Sequence, residues 1–221
     1  GFAFEYTFLL ANPSFESGNT DGWTTSSGGD TGAKLNSNGT YTINGADGEF
    51  VFNTWGTENM HVQQILTNIP TGSYTLKAIV ASDANNVITL TAGEQSVEVK
   101  ITTDKSTATE GVVETTYSSG EFIIKASSET WFKADHFRLY FNGFDVNTAL
   151  KAIEDLTKRA NELEQKPMNA EYKQALVDAI EEAESIQQTR IKLTNMIDKL
   201  NEVISRAESS IAVYEEIDGY I

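Results

Sequence analysis

Glycine nearly vanishes from this chain after one point. Of its 16 glycines, 15 lie at or before Gly143 and only Gly219 lies beyond it. All three tryptophans, Trp23, Trp55 and Trp131, fall in the same first part, among Thr, Ser, Val, Ile and other aromatics. The second part is rich in Ala, Leu, Ile, Glu and Lys. Glycine is cheap in turns and costly inside helices, so the two compositions belong to different architectures. The break predicts a strand domain over residues 1–144 and a separate helical domain over residues 145–221.

Charge narrows the function. The 221 residues include 32 acidic and 16 basic side chains, a formal net charge of −16. Both parts share the excess, with 16 acidic against 7 basic up to Phe144 and 16 against 9 after it. Nucleic acid and anionic membrane surfaces both call for a basic footprint, which neither part offers. An acidic surface suits solubility or a hard cation instead. There is no cysteine, which removes zinc fingers, thiol catalysis and iron–sulfur chemistry. Eukaryotic secreted domains usually carry disulfides, so the same absence points to a bacterial source or a reducing compartment. No run of about 18 apolar residues exists, and no membrane insertion is expected. No charged segment followed by an apolar one is visible as a leader; residues 2–11 are apolar-rich but short and interrupted by Glu5. Gly1 is compatible with a start from which a signal peptide has been removed.

Strand candidates follow one another at the spacing of an all-β sandwich or barrel. They cover residues 4–10, 33–37, 40–44, 49–55, 60–67, 73–82, 87–92, 95–101, 112–117, 121–126 and 136–141. Asp21-Gly22, Asn38-Gly39, Asn44-Gly45, Asp47-Gly48, Pro70-Thr71-Gly72, Gly93 and Ser119-Gly120 supply turns between them. In the last strand Phe137, Leu139 and Phe141 are expected inward, and His136, Arg138 and Tyr140 outward. About ten strands in about 140 residues fit a jelly-roll sandwich.

Three helices are expected after it. The first covers residues 147–165, with Leu150, Ile153, Leu156, Ala160 and Leu163 on one stripe, and Pro167 cannot continue it. Asn169 caps the second, whose stripe is Tyr172, Leu176, Ala179, Ile180 and Ala183. Thr189 caps the third, where Leu193, Ile197, Leu200, Ile204, Ala207, Ile211 and Tyr214 recur at threes and fours. Short loops predict an antiparallel three-helix bundle. The near-heptad period leaves an intermolecular coiled coil as the alternative. Glu154 with Lys158, and Glu162 with Lys166, stand as i,i+4 pairs on the solvated face.

Three short motifs in order carry a resemblance over about residues 5–144. They are Asn12-Pro13-Ser14-Phe15-Glu16 with Gly22-Trp23, then residues 64–66 with Ile69-Pro70 and Gly72-Ser73-Tyr74, then Phe132-Lys133-Ala134-Asp135-His136-Phe137-Arg138-Leu139-Tyr140. Together they resemble the opening, centre and closing strand of carbohydrate-binding modules with a galactose-binding-domain-like jelly roll. The helical part is similar, less specifically, to the small FIVAR-type three-helix spacers found beside such modules. The resemblance implies a part of a secreted, cell-surface or periplasmic bacterial protein that handles glycans, with neighbouring domains in a longer chain. It also implies a structural calcium held by an acid near the first strand and an aspartate near the last. Glu16 and Asp135 match those places; the alternative is that both are capping or solvated carboxylates. Calcium takes six to eight oxygens, and backbone carbonyls with one or two carboxylates supply them.

Sugar binding needs an aromatic platform against the apolar face of a pyranose, with amides and carboxylates around it. Trp55 is the leading candidate, in the polar loop Asn53-Thr54-Trp55-Gly56-Thr57-Glu58-Asn59, with Tyr41, Asn53 and Glu58 as companions. Its other reading is a tryptophan folded over the end of the sandwich. Tyr117 and Trp131 are weaker platforms, Trp131 being expected to pack, and no pair of exposed aromatics is legible. Phe15 and Trp23 are expected in the core, with Glu16 beside them reaching toward Asp135. No catalytic motif appears: His61 and His136 stand on separate strands, and Asp135 and His136, adjacent on a strand, diverge. The expected function is a non-catalytic carbohydrate-binding module with a helical spacer, its glycan or polysaccharide held by one aromatic. A structural or protein-interaction module without sugar affinity is the alternative.

Overall fold

The computed structural model describes residues 3–56 and 58–218. Gly1, Phe2, Thr57 and Gly219, which entered the readings above, lie outside the described residues. The chain divides into two compact units that part between Gly143 and Phe144, with the short segment Pro70–Gly72 grouped with the second.

The first unit is built of two antiparallel sheets. One sheet runs β3 (Gly32–Leu35), β4 (Phe50–Thr54), β11 (Phe132–Gly143), β6 (Gly72–Ala81) and β9 (Thr109–Tyr117), with the short β1 (Phe4–Glu5) on the far end of β11. The other runs β2 (Thr24–Thr25), β5 (Met60–Thr67), β10 (Glu121–Ser128), β7 (Val87–Ala92) and β8 (Gln95–Lys100). Alternation writes the core. Tyr74, Leu76, Ala78 and Val80 of β6 bury one face, and Phe122, Ile124 and Ala126 of β10 bury the other. Two expected strands are corrected. Residues 4–10 hold only β1 and a 3-10 turn at Thr7–Leu9. Residues 40–44 form a loop whose one ladder contact is an isolated bridge from Asn44 to Thr107. That loop packs over the outer face of the first sheet, where Ile43, Val51, Ile79 and Ala81 make a small second core. Packing of Ile43 onto the sheet face, not pairing at its edge, buries this segment.

The second unit has α1 (Val146–Glu164), α2 (Ala170–Glu184) and α3 (Arg190–Asp218). Each has a side-chain cap. Asp145 accepts from Thr148 N, Asn169 from Glu171 N, and Thr189 Oγ1 from Lys192 N at 3.3 Å. Leu156, Leu163, Leu176, Leu193, Leu200 and Ala207, from all three helices, share one apolar cluster. The expected pairs Glu154–Lys158 and Glu162–Lys166 do not form. Arg159 takes Glu162 and Glu208 instead, since its fork can serve two carboxylates at once. No helix among the described residues is long and apolar enough to cross a membrane.

Candidate functional site

The segment from Asn12 to Trp23 closes the sandwich. Phe15 is fully buried and its ring lies 5.5 Å from Trp23, 5.5 Å from Phe52 and 6.2 Å from Phe137. Trp23 donates its indole N–H to Asn12 O at 3.0 Å. Both aromatics are core, as expected from the sequence.

Beside them, one turn meets both carboxylates that the sequence singled out. Glu16 Oε2 and Oε1 accept the N–H groups of Glu49 and Phe50 at 2.8 and 2.9 Å. Asp135 Oδ2 accepts Asp47 N at 2.7 Å. Gly48 sits between, at φ +77°, and a Cβ there would come within 2.3 Å of the Glu16 carboxylate, so only glycine serves. Asp47 reaches the other way, accepting from Ser14 Oγ at 2.9 Å and pairing with Arg138. The Ser14 hydrogen bond, with Arg138 behind it, holds the Asp47 carboxyl below the usual carboxylate range. His136 stands at φ +54°, where the β11–β6 register shifts between Asp135 and Arg138. That bulge turns Asp135 into full burial while leaving His136 41% exposed, 3.4 Å from Asp47, so the two diverge.

Asp135 Oδ1 is buried with no hydrogen-bond partner. Burial, with the charges of Asp47 and Glu16 nearby, pushes the Asp135 carboxyl up to about 7. An unpartnered buried carboxylate oxygen among other acids fits a hard cation in donor chemistry. Among the described residues no group of three or more acidic or histidine side chains could hold a metal. Any cation at Glu16 and Asp135 would therefore draw its remaining oxygens from backbone carbonyls or water.

At another rim of the same sheet stands an aromatic pair. Trp55 directly follows β4 and Trp131 directly precedes β11, and the register sets Thr54 opposite Phe132. The ladder therefore delivers the two tryptophans side by side. Their ring centroids are 6.0 Å apart at 31°, and Trp55 is 58% exposed. Rings this close touch each other, so a ligand stacks on the outside of the pair and not between them. The base is firm. Gly28 lies so close to the Trp55 carbonyl that a Cβ would come within 2.4 Å of it. Thr54 Oγ1 contacts Thr31 Oγ1 at 3.1 Å and donates to Met60 Sδ at 3.1 Å. Ser82 Oγ donates to Trp131 O at 2.7 Å, and Trp131 Nε1 donates to Asp83 Oδ2 at 3.2 Å.

The expected companions of Trp55 are dispersed. Asn53 is buried and spends its amide on Asp30 O at 2.6 Å. Tyr41 donates its hydroxyl to Asp30 Oδ2 at 2.8 Å, with Lys34 5.5 Å over its ring. Tyr41 belongs to the loop that covers the sheet, while Asn53, on β4, anchors Asp30 from the sheet itself. Glu58 is exposed in the Trp55 loop. Trp131, expected to pack, instead stands beside Trp55, and Asp83 carried no sequence signal, because strand order is needed to bring both to Trp55. Tyr117 is buried, its hydroxyl donating to Gly120 O. A shallow groove crosses the outer face of the second sheet, lined by His61, Thr89, Glu98, Lys125 and Ser127, with no Trp, Tyr or Phe among its described lining residues.

No family model matches the chain, and no match was found among curated proteins. Solved structures do match. The chain is similar to TmCBM61, solved with β-1,4-galactotriose, at 21% identity and a TM-score of 0.50, over 61% of this chain and 98% of that one. It also matches a CBM35 from Paenibacillus barcinonensis (16% identity, TM-score 0.39, 63% of this chain and 98% of that one). A third match is the CBM22-1 xylan-binding domain of Xyn10C from the same organism (16%, 0.43, 60% and 93%). These neighbours are carbohydrate-binding modules, and the likeness to the first establishes the β-sandwich jelly roll as the fold of the first unit.

Proposed function

We propose that the first unit is a non-catalytic glycan-binding module whose ligand stacks on the Trp55–Trp131 pair. One observation carries this: two tryptophans meet at the rim on rigid supports, and Trp55 keeps more than half its surface in water. Leaving that much indole exposed forgoes burial worth about 1.5–3 kcal/mol for a large apolar side chain, and a stacking partner recovers it. The likeness to a module solved with β-1,4-galactotriose supports the reading. The helical unit serves as a spacer in a longer, secreted or surface-attached bacterial protein, where avidity offsets weak single-site affinity. Affinity electrophoresis through gels holding galactan, xylan or cellulose tests it. Wild type is retarded by at least one polymer, and Trp55→Ala loses about tenfold or more in affinity, the scale of one lost stacking contact. Wild-type mobility unchanged by a broad polysaccharide panel would leave a structural module in its place.

We further propose that Glu16 and Asp135 hold a calcium ion that ties the opening segment to the last strand. Its chemistry is structural: it neutralises a buried carboxylate and adds no reaction. Support comes from the unpartnered Asp135 Oδ1. Calcium is then expected to raise the melting temperature of wild type by several degrees, as about 1–2 kcal/mol does in a domain of this size, and to leave Asp135→Ala unmoved. Identical wild-type melts in calcium and in EDTA would rule the ion out.

A further inference from the structure

Two tryptophans and a carboxylate meet at one rim, and that combination is narrower than a generic sugar platform. Asp83 sits exposed in the loop between β6 and β7 and accepts the Trp131 indole N–H through Oδ2. A carboxylate offers about four acceptor positions, and this bond uses one. Glu58 and Glu129, both exposed, lie in the two loops that carry Trp55 and Trp131. Lys133 lies within electrostatic reach of Asp83, but it is fully buried and its ammonium donates to Thr42 O at 2.6 Å, so it is not presented to a ligand. Indole faces attract cations better than the other aromatic rings do, and the chain's net charge of −16 adds a field of the same sense.

We infer that the Trp55–Trp131 platform selects sugars carrying a free amine, with Asp83 holding the ammonium. This rests on the glycan-binding reading above and names its ligand class. A sugar of this kind stacks its apolar face on Trp55 and gives its ammonium a charge-assisted hydrogen bond to Asp83 at the platform's edge. An N-acetylated sugar has the same ring without the charge. A uronic acid brings a like charge to an acidic rim. Asp83 is exposed, and water limits the gain to about tenfold in affinity over the acetylated sugar.

Titration calorimetry at mildly acidic pH tests this with tetramers of glucosamine, N-acetylglucosamine, galactose and galacturonic acid. Wild type is expected to bind the glucosamine tetramer about tenfold tighter than the acetylated one, and the galacturonate tetramer most weakly. Asp83→Asn, whose amide oxygen can still accept the indole N–H, lowers the glucosamine-to-acetylglucosamine ratio most of the way toward one. Raising the salt to about 1 M does the same to wild type by screening. Equal wild-type affinity for the two sugars, or a ratio that neither Asp83→Asn nor salt alters, would overturn the inference while neutral-sugar binding kept the module reading intact. Failure to bind any of the four would overturn the inference, while retardation by xylan or cellulose gels would still uphold the module reading.

Discussion

Phe15→Ala is expected to destabilise the sandwich by about 3–5 kcal/mol, the cost of deleting a fully buried ring whose surroundings cannot collapse. Phe15 is fully buried and packs against Trp23, Phe52 and Phe137 at once, so no single neighbour can move in without leaving the others. A domain of this kind holds about 5–15 kcal/mol in total, so the loss takes a large share of it. The readout is clean, because all three tryptophans lie in the sandwich and their fluorescence reports its unfolding alone. Backbone conformation adds a second, sharper expectation. Phe15 sits at φ +58°, where any Cβ is strained by about 1–2 kcal/mol. Phe15→Gly removes the same ring and that strain together. It should therefore be no less stable than Phe15→Ala, the reverse of glycine's usual rank. Denaturant midpoints that place the Ala variant above the Gly variant by about 1 kcal/mol would show that the turn at Phe15 is not held as described.

The same residue shows what a sequence can disclose. Phe15 and Trp23 were legible as core because aromatics flanking a glycine turn have few other places to go. β5 and β7 were legible to the residue because alternation and turn glycines agreed there. Residues 40–44 misled because alternation also occurs in a loop that buries Ile43 against a sheet face. The tryptophan pair was hidden for another reason. Trp55 and Trp131 become neighbours only through the antiparallel register of β4 with β11, and pairing between strands distant in sequence leaves no local mark. Asn53 and Tyr41 were expected beside Trp55, yet hydrogen bonds to Asp30 claimed both. Local sequence thus overstated the polar half of the site and left the pairing of Trp55 with Trp131 hidden.

In EDTA, the sandwich is expected to lose stability as pH rises from about 4 to about 8, with Asp135 as the source. The fold holds this carboxyl at about 7 against an ordinary 3.8 because burial and the neighbouring acids disfavour its charge. A group whose folded pKa is raised binds its proton more tightly in the native state. Its contribution is fully present below about 4 and is lost as pH climbs through 7. The displacement bounds the loss at about 4 kcal/mol, and water entry on charging lowers it to a few. Asp47 acts in the opposite sense: its carboxyl is held low by Ser14 and Arg138, and its contribution is lost as pH falls. The informative quantity is therefore wild type minus Asp135→Asn, which cancels Asp47 and every other shared group. That difference should slope downward with pH in EDTA. Calcium at Glu16 and Asp135 favours the ionised carboxylate, so added calcium should flatten the slope and stabilise wild type more at pH 8 than at pH 5. A slope in EDTA that calcium leaves unchanged would keep the buried acid and remove the ion. A difference that stays flat across the range would mean that water or a shift of the 47–50 turn already solvates Asp135, and the closure would then rest on Phe15, Trp23 and the Glu16 hydrogen bonds alone.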